Sequence, residues 1–80
     1  MVDLELDSKT ILRNLGKCLR SYREAKGLSQ EAVSFGADIH RTYLSQIELG
    51  ERNPSFIVLI KICSILGVVP SHLVAEVLKK

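Results

Sequence analysis

The sequence predicts an all-α domain of five short helices. Apolar residues recur at three- and four-residue spacing along most of the chain, and no segment alternates as a strand would. Glycine, proline and serine interrupt that pattern where helices would stop and restart. Eighty residues support one core, and 46% apolar residues are enough to fill it. That core must be aliphatic, because Tyr22, Phe35, Tyr43 and Phe56 are the only aromatics.

The first helix is expected over residues 8–26. Leu12, Leu15, Leu19 and Tyr22 form its buried stripe, and Lys9, Arg13, Lys17 and Arg20 follow a neighbouring one. Gly16 sits in mid-helix, where glycine costs about 1 kcal/mol relative to alanine, so a close backbone contact is expected there. Gly27 ends the helix. Residues 1–7 precede it as an N-terminal arm, and residues 8–80 are expected to form one domain.

Ser29 caps a second helix, 29–36. The connection Ala37-Asp38-Ile39 is short, so the third helix, 40–49, must leave steeply, with Asp38 in the left-handed turn position. At 100° per residue, Tyr43, Leu44 and Ile47 share one face of the third helix. Arg41, Thr42, Ser45 and Gln46 share the other. Gly50 stops it.

After the loop Glu51-Arg52-Asn53-Pro54, Ser55 caps the fourth helix, 55–66. Phe56, Leu59, Ile62, Cys63 and Leu66 make a core face, yet Ile57, Val58, Ile60 and Ile65 lie away from it. The fifth helix, 70–79, opens on Pro70, and its Leu73, Val74, Val77 and Leu78 complete a second apolar surface. A helix apolar nearly all round is buried on more than one side, and one small subunit cannot cover both. Self-association is therefore expected, with Ile57, Ile60, Leu73, Val74 and Val77 at the dimer interface.

The formal charge of +2 conceals an asymmetry. Residues 1–7 hold three acids (Asp3, Glu5, Asp7) and no base, so residues 8–80 carry 11 basic and 6 acidic groups, a balance of +5. That body suits a polyanionic partner. Cys18 and Cys63 lie at apolar helical positions and read as reduced core residues. Zinc would need more ligands at motif spacing. His40, at a helix start, and His72, on a helix surface, belong to no Ser–His–Asp, metal or P-loop arrangement, so neither enzyme activity nor a cofactor or small-molecule ligand is expected. The acidic start lacks the basic region of a signal peptide. The apolar run 56–69 is interrupted by Lys61 and is too short to span a bilayer. A cytoplasmic protein without a membrane partner is the expectation.

Two helices of about eight and ten residues joined by a three-residue turn suit the helix-turn-helix geometry, in which the second helix enters a DNA major groove. By side-chain chemistry Arg41 can bond guanine O6 and N7, and Thr42, Ser45 and Gln46 can reach neighbouring base edges. Gln30 opens the second helix, whose N-terminus attracts phosphate. The chain from Leu15 to Leu66 also resembles the phage-repressor/Cro-type (XRE) helix-turn-helix family. The resemblance is carried by Leu19-Arg20-x-x-Arg23, Gly27-Leu28-Ser29-Gln30-Glu31, Tyr43-Leu44-Ser45-x-Ile47-Glu48-x-Gly50 and Arg52-Asn53-Pro54-Ser55. Within that family, the run His40-Arg41-Thr42-Tyr43-Leu44-Ser45 with Glu51-Arg52-Asn53-Pro54 looks like the controller proteins of bacterial restriction–modification systems.

The resemblance implies a compact lambda-repressor-like fold and a transcriptional regulator of double-stranded DNA, and the two-fold symmetry of the expected homodimer implies a palindromic operator. It implies a phosphate contact from Gln30, and an ion pair between Arg23 and Glu48 that ties the first helix to the end of the recognition helix. Ser29, Tyr43, Arg52, Asn53 and Ser55 complete the expected phosphate contacts. The sequence departs from the family in having Asp38 where the turn usually has glycine, Phe35 at a usually polar position, and Val69-Pro70 opening the last helix. An interaction module, such as an antitoxin holding a partner protein on the apolar surface of the last two helices, is the other reading these residues leave open.

Overall fold

A computed structural model gives the fold and describes residues 7–79. Its helices are α1 (Ser8–Ala25), α2 (Gln30–Gly36), α3 (Arg41–Glu48), α4 (Phe56–Leu66) and α5 (Pro70–Lys79). Each lies within one or two residues of its expected span. Residues 1–6 of the expected arm lie outside the described residues. Asp7, its last residue, is instead the N-cap of α1. Its carboxylate accepts from the Thr10 backbone N–H at 2.7 Å, and that bond holds the carboxyl below the usual aspartate range. Ser29 and Ser55 cap α2 and α4 in the same way, accepting from the N–H groups of Ala32 at 3.0 Å and Val58 at 3.1 Å.

The α2–α3 turn depends on a residue that is not glycine. Asp38 has φ +57°, a left-handed conformation that L-residues other than Asn and Asp rarely adopt. It lets the Asp38 N–H reach Phe35 O at 3.1 Å and the Ile39 N–H reach Ser34 O at 3.0 Å. Those bonds satisfy carbonyls that the end of α2 leaves without helical partners.

Leu19, Val33, Leu44, Ile47, Ile62, Cys63 and Leu73 are the largest fully enclosed side chains. Each large aliphatic one contributes about 1.5–3 kcal/mol by leaving water. Around this centre α1 packs on α3 and α5, and α2 packs on α3 and α4. Cys18 and Cys63 contribute their thiols to the core, and burial pushes the Cys63 thiol up. One buried polar side chain, Asn14, closes the α1–α5 contact. Its amide donates to Val77 O at 3.3 Å, one of the carbonyls that the end of α5 leaves open.

Two expectations about the last helices need correction. Leu73 and Val77 do not lie on a free apolar surface, since they are 0% and 6% exposed within the subunit core. They stand four residues apart on the side of α5 that meets α1, whereas Val74 and Leu78 are each rotated about 100° away and are exposed. Phe56 does not join the core face of α4. That face fades towards the N-terminus: Ile62, Cys63 and Leu66 are buried, Leu59 is partly buried, and Phe56 is exposed. Ile57 is also exposed and Ile60 is partly buried. An apolar groove of roughly 160 Å³ runs between α1, α4 and α5, lined by Ile11, Leu15, Leu59, Val74 and Leu78 with the edges of Leu73 and Val77.

Gly16 is buried where α1 crosses α3. A Cβ there would overlap the carbonyl oxygen of Glu48 and lie 2.6 Å from that of Ile47. Both are backbone atoms and cannot swing aside. In an exposed helix interior Gly→Ala gains about 1 kcal/mol. Here Gly16→Ala is expected to destabilise by about 3 kcal/mol or more, an overpacking cost. Denaturant unfolding measures it, and an unchanged midpoint would exclude the close crossing.

Candidate nucleic-acid interface

The eight residues of α3 sort by chemistry into a held side and a shown side. Leu44 and Ile47 are fully buried, with Glu48 beside them, and Tyr43 is half-buried. Arg41 and Thr42 are exposed, and Ser45 and Gln46 are partly covered. His40 stands at the N-cap without a side-chain capping bond.

Position and tilt of α3 are set from α1. Arg23 Nε donates to Glu48 Oε2 at 2.7 Å and Arg23 Nη2 to Glu48 Oε1 at 3.0 Å. This is the parallel two-bond geometry in which guanidinium and carboxylate pair most strongly. Both side chains are largely withdrawn from solvent, at 12% and 4% exposed. The bonds to Glu48 raise the already high pKa of Arg23. Arg23 Nη1 also donates to Leu28 O at 2.9 Å, which fastens the α1–α2 loop to the same group. By contrast the exposed Arg20–Glu24 pair, at 3.1 Å and over half exposed on both sides, adds little.

Gln30, at the start of α2, lies between Glu48 and Arg41. Its Nε2 donates to Glu48 Oε1 at 3.0 Å, and its Oε1 accepts from Arg41 Nη1 at 3.3 Å. A second group forms at the other end of α3. The Arg52 guanidinium stands 4.9 Å over the Tyr43 ring and donates from Nη1 to Gln46 Oε1 at 3.2 Å. Buried Pro54 anchors the loop that carries Arg52 and exposed Asn53. Capping uses the hydroxyls of exposed Ser29 and Ser55 as acceptors, so their O–H donors are not consumed by the caps.

The structure therefore gathers Gln30, Arg41, Tyr43, Gln46 and Arg52 around α3 in two bonded groups, with Thr42 and Ser45 between them. The expected dimer residues Ile57 and Val74 belong to other helices. Sequence reasoning missed the Gln30 bridge and the Leu28 carbonyl. Neither leaves a local signal, because Gln30 and Glu48 are 18 residues apart and meet only once the turn has formed. Phe35 is 89% exposed and makes no contribution to the core.

Known proteins share this sequence pattern and fold. The helix-turn-helix family pattern matches residues 19–73. The chain is 46% identical over 59 residues to the control protein C.BamHI of Bacillus amyloliquefaciens, covering 72% of this chain and 73% of that protein. Its fold is similar to the restriction–modification controller protein C.AhdI from Aeromonas hydrophila, with a TM-score of 0.75 and 39% identity over 78% of this chain and 94% of the other. It is also similar to the controller protein C.Esp1396I, solved as a tetramer in complex with its natural 35 base-pair operator. There the TM-score is 0.77 and the identity 26%, over 88% of this chain and 96% of that one.

Arg23→Ala would leave the Glu48 carboxylate enclosed without its counter-ion, a loss of about 3 kcal/mol. In a domain of this size that corresponds to a fall of roughly 12–24 °C in Tm. Calorimetry measures it, and an unchanged Tm would show that the pair does not hold α3.

Proposed function

The chain belongs to the helix-turn-helix family, and we propose that it is a sequence-specific DNA-binding transcriptional regulator that reads its operator with α3 in the major groove. The observation that carries this reading is the outward face of α3, with Arg41, Thr42, Ser45 and Gln46 on a helix whose other side is locked into the core. A major groove admits one α-helix, and these side chains match base-edge donors and acceptors. Arg41 is assigned to guanine O6 and N7. Gln30, Tyr43, Arg52 and Asn53, with the hydroxyls of Ser29 and Ser55, are assigned to phosphates, which fix register without reading sequence.

The relatives narrow the setting. Control proteins of restriction–modification systems recur among them, and one is solved on its operator. The role proposed for this chain is therefore control of restriction–modification genes. Among the described residues no single helix is long and apolar enough to cross a membrane.

The regulator is proposed to act as a homodimer. With Leu73 and Val77 used by the subunit's own core, the surface left for a partner copy is Ile57, Ile60 and Val74, with Leu78 beside them. These residues lie on α4 and α5, whereas α3 packs mainly on α1 and α2. Two subunits joined there would present two recognition helices to one face of the duplex.

Selection of bound sequences from random duplex DNA tests reader and dimer together. An inverted repeat is expected, with half-sites about 10 base pairs apart centre to centre or a multiple of that. A single unrepeated half-site would remove the dimer. No enrichment at all would remove the base reader and favour a protein-interaction role for the α4–α5 surface.

A further inference from the structure

Glu48 does more than pair with Arg23. Its Oε1 accepts from both Arg23 Nη2 and Gln30 Nε2, and the far end of the same Gln30 amide accepts from Arg41 Nη1. The direction of this chain is forced. A carboxylate can only accept and a guanidinium can only donate. An amide between them has one orientation that satisfies both, with its NH2 group on Glu48 and its oxygen on Arg41. The Glu48 end is buried and cannot exchange its partners for water, while Arg41 is exposed.

We propose that Glu48 is a positioning residue for Arg41, acting through Gln30. The enclosed charge fixes the amide, and the amide oxygen holds the Arg41 guanidinium at the front of α3 before DNA arrives. Nη1 keeps a second N–H, and Nη2 and Nε keep theirs, so a two-bond contact to a guanine remains open. Pre-ordering a long side chain removes part of what binding would otherwise lose in rotamer freedom. The ion pair thereby acts on sequence preference as well as on stability. This inference rests on the assignment of Arg41 to a base.

The test measures ratios of Kd between the protein's preferred duplex and duplexes with single base-pair replacements. A partly unfolded variant weakens both members of a ratio equally, so loss of stability does not imitate loss of preference. Arg41→Ala identifies the base pair whose discrimination depends on Arg41, with an expected loss of roughly tenfold or more. In Glu48→Gln one oxygen replaces two, and in either orientation the new NH2 group faces an Arg23 N–H, so the two-bond pair breaks and the enclosed charge that fixes the Gln30 amide is gone. Gln30 is then no longer held with its oxygen beneath Arg41.

Discrimination at that same base pair is expected to fall by about threefold to tenfold in Glu48→Gln, as part of one base contact, with other positions unchanged. Adding Gln30→Glu to Glu48→Gln restores an acceptor beneath Arg41 and is expected to recover the ratio. Gln30→Ala, which leaves the ion pair intact, supplies the same test should the Glu48 variants fail to fold. Equal weakening of all duplexes by Glu48→Gln or Gln30→Ala would overturn the proposal, as would failure of Gln30→Glu to restore the ratio. If Arg41→Ala leaves every ratio unchanged, the base assignment itself is wrong and the proposal falls with it.

Discussion

The carboxylate of Glu48 is the constraint around which the rest of this small domain is arranged. It sits where α1, α2 and α3 meet, 4% exposed, and a charge so placed is tolerable only with close partners. Arg23 supplies two bonds and Gln30 a third. The geometry that allows them begins seven residues earlier on α1. Seven residues are nearly two full turns, so Gly16 and Arg23 share one face of that helix. At Gly16 the missing side chain lets the backbone of α3 come close, and at Arg23 a long one reaches its side chain. Contact at one point and charge at the other fix both the distance and the tilt of α3.

This arrangement has a consequence for what α3 displays. Leu44 and Ile47 bind the helix to the core and turn its polar face outwards, but apolar burial is non-directional and does not order the polar side chains themselves. That order comes from bonded groups towards the two ends of the helix. Gln30 meets Arg41 at the start, and Arg52, stacked on Tyr43, meets Gln46 near the end. The α2–α3 turn is equally particular, since Asp38 holds a left-handed conformation that would be easier for glycine. The polar face is thus ordered by the same residues that hold the fold together.

Most of this was legible in the chain. Helical spacing located all five helices, serines marked two N-caps, and Gly16 announced a close crossing by its cost. Assigning α3 to a held and a shown face needed only 100° per residue. The sequence was ambiguous where apolar residues outnumber core positions. On α5, Leu73, Val74, Val77 and Leu78 form one continuous stripe, and nothing local says which half turns inwards. The structure gives Leu73 and Val77 to the subunit and leaves Val74 and Leu78 outside. Long-range bonds were illegible for a different reason. Asn14 with Val77, and Gln30 with Glu48, are joined by the fold alone.

A guanine held by Arg41 can be probed atom by atom. Dimethyl sulfate methylates guanine N7 from the major groove, and a bound arginine shields that atom. On the preferred duplex the wild-type protein is expected to protect one guanine per half-site, and Arg41→Ala, still bound, is expected to leave that guanine reactive. Protection that persists unchanged in Arg41→Ala, or that never involves a major-groove N7, would contradict a recognition helix led by Arg41.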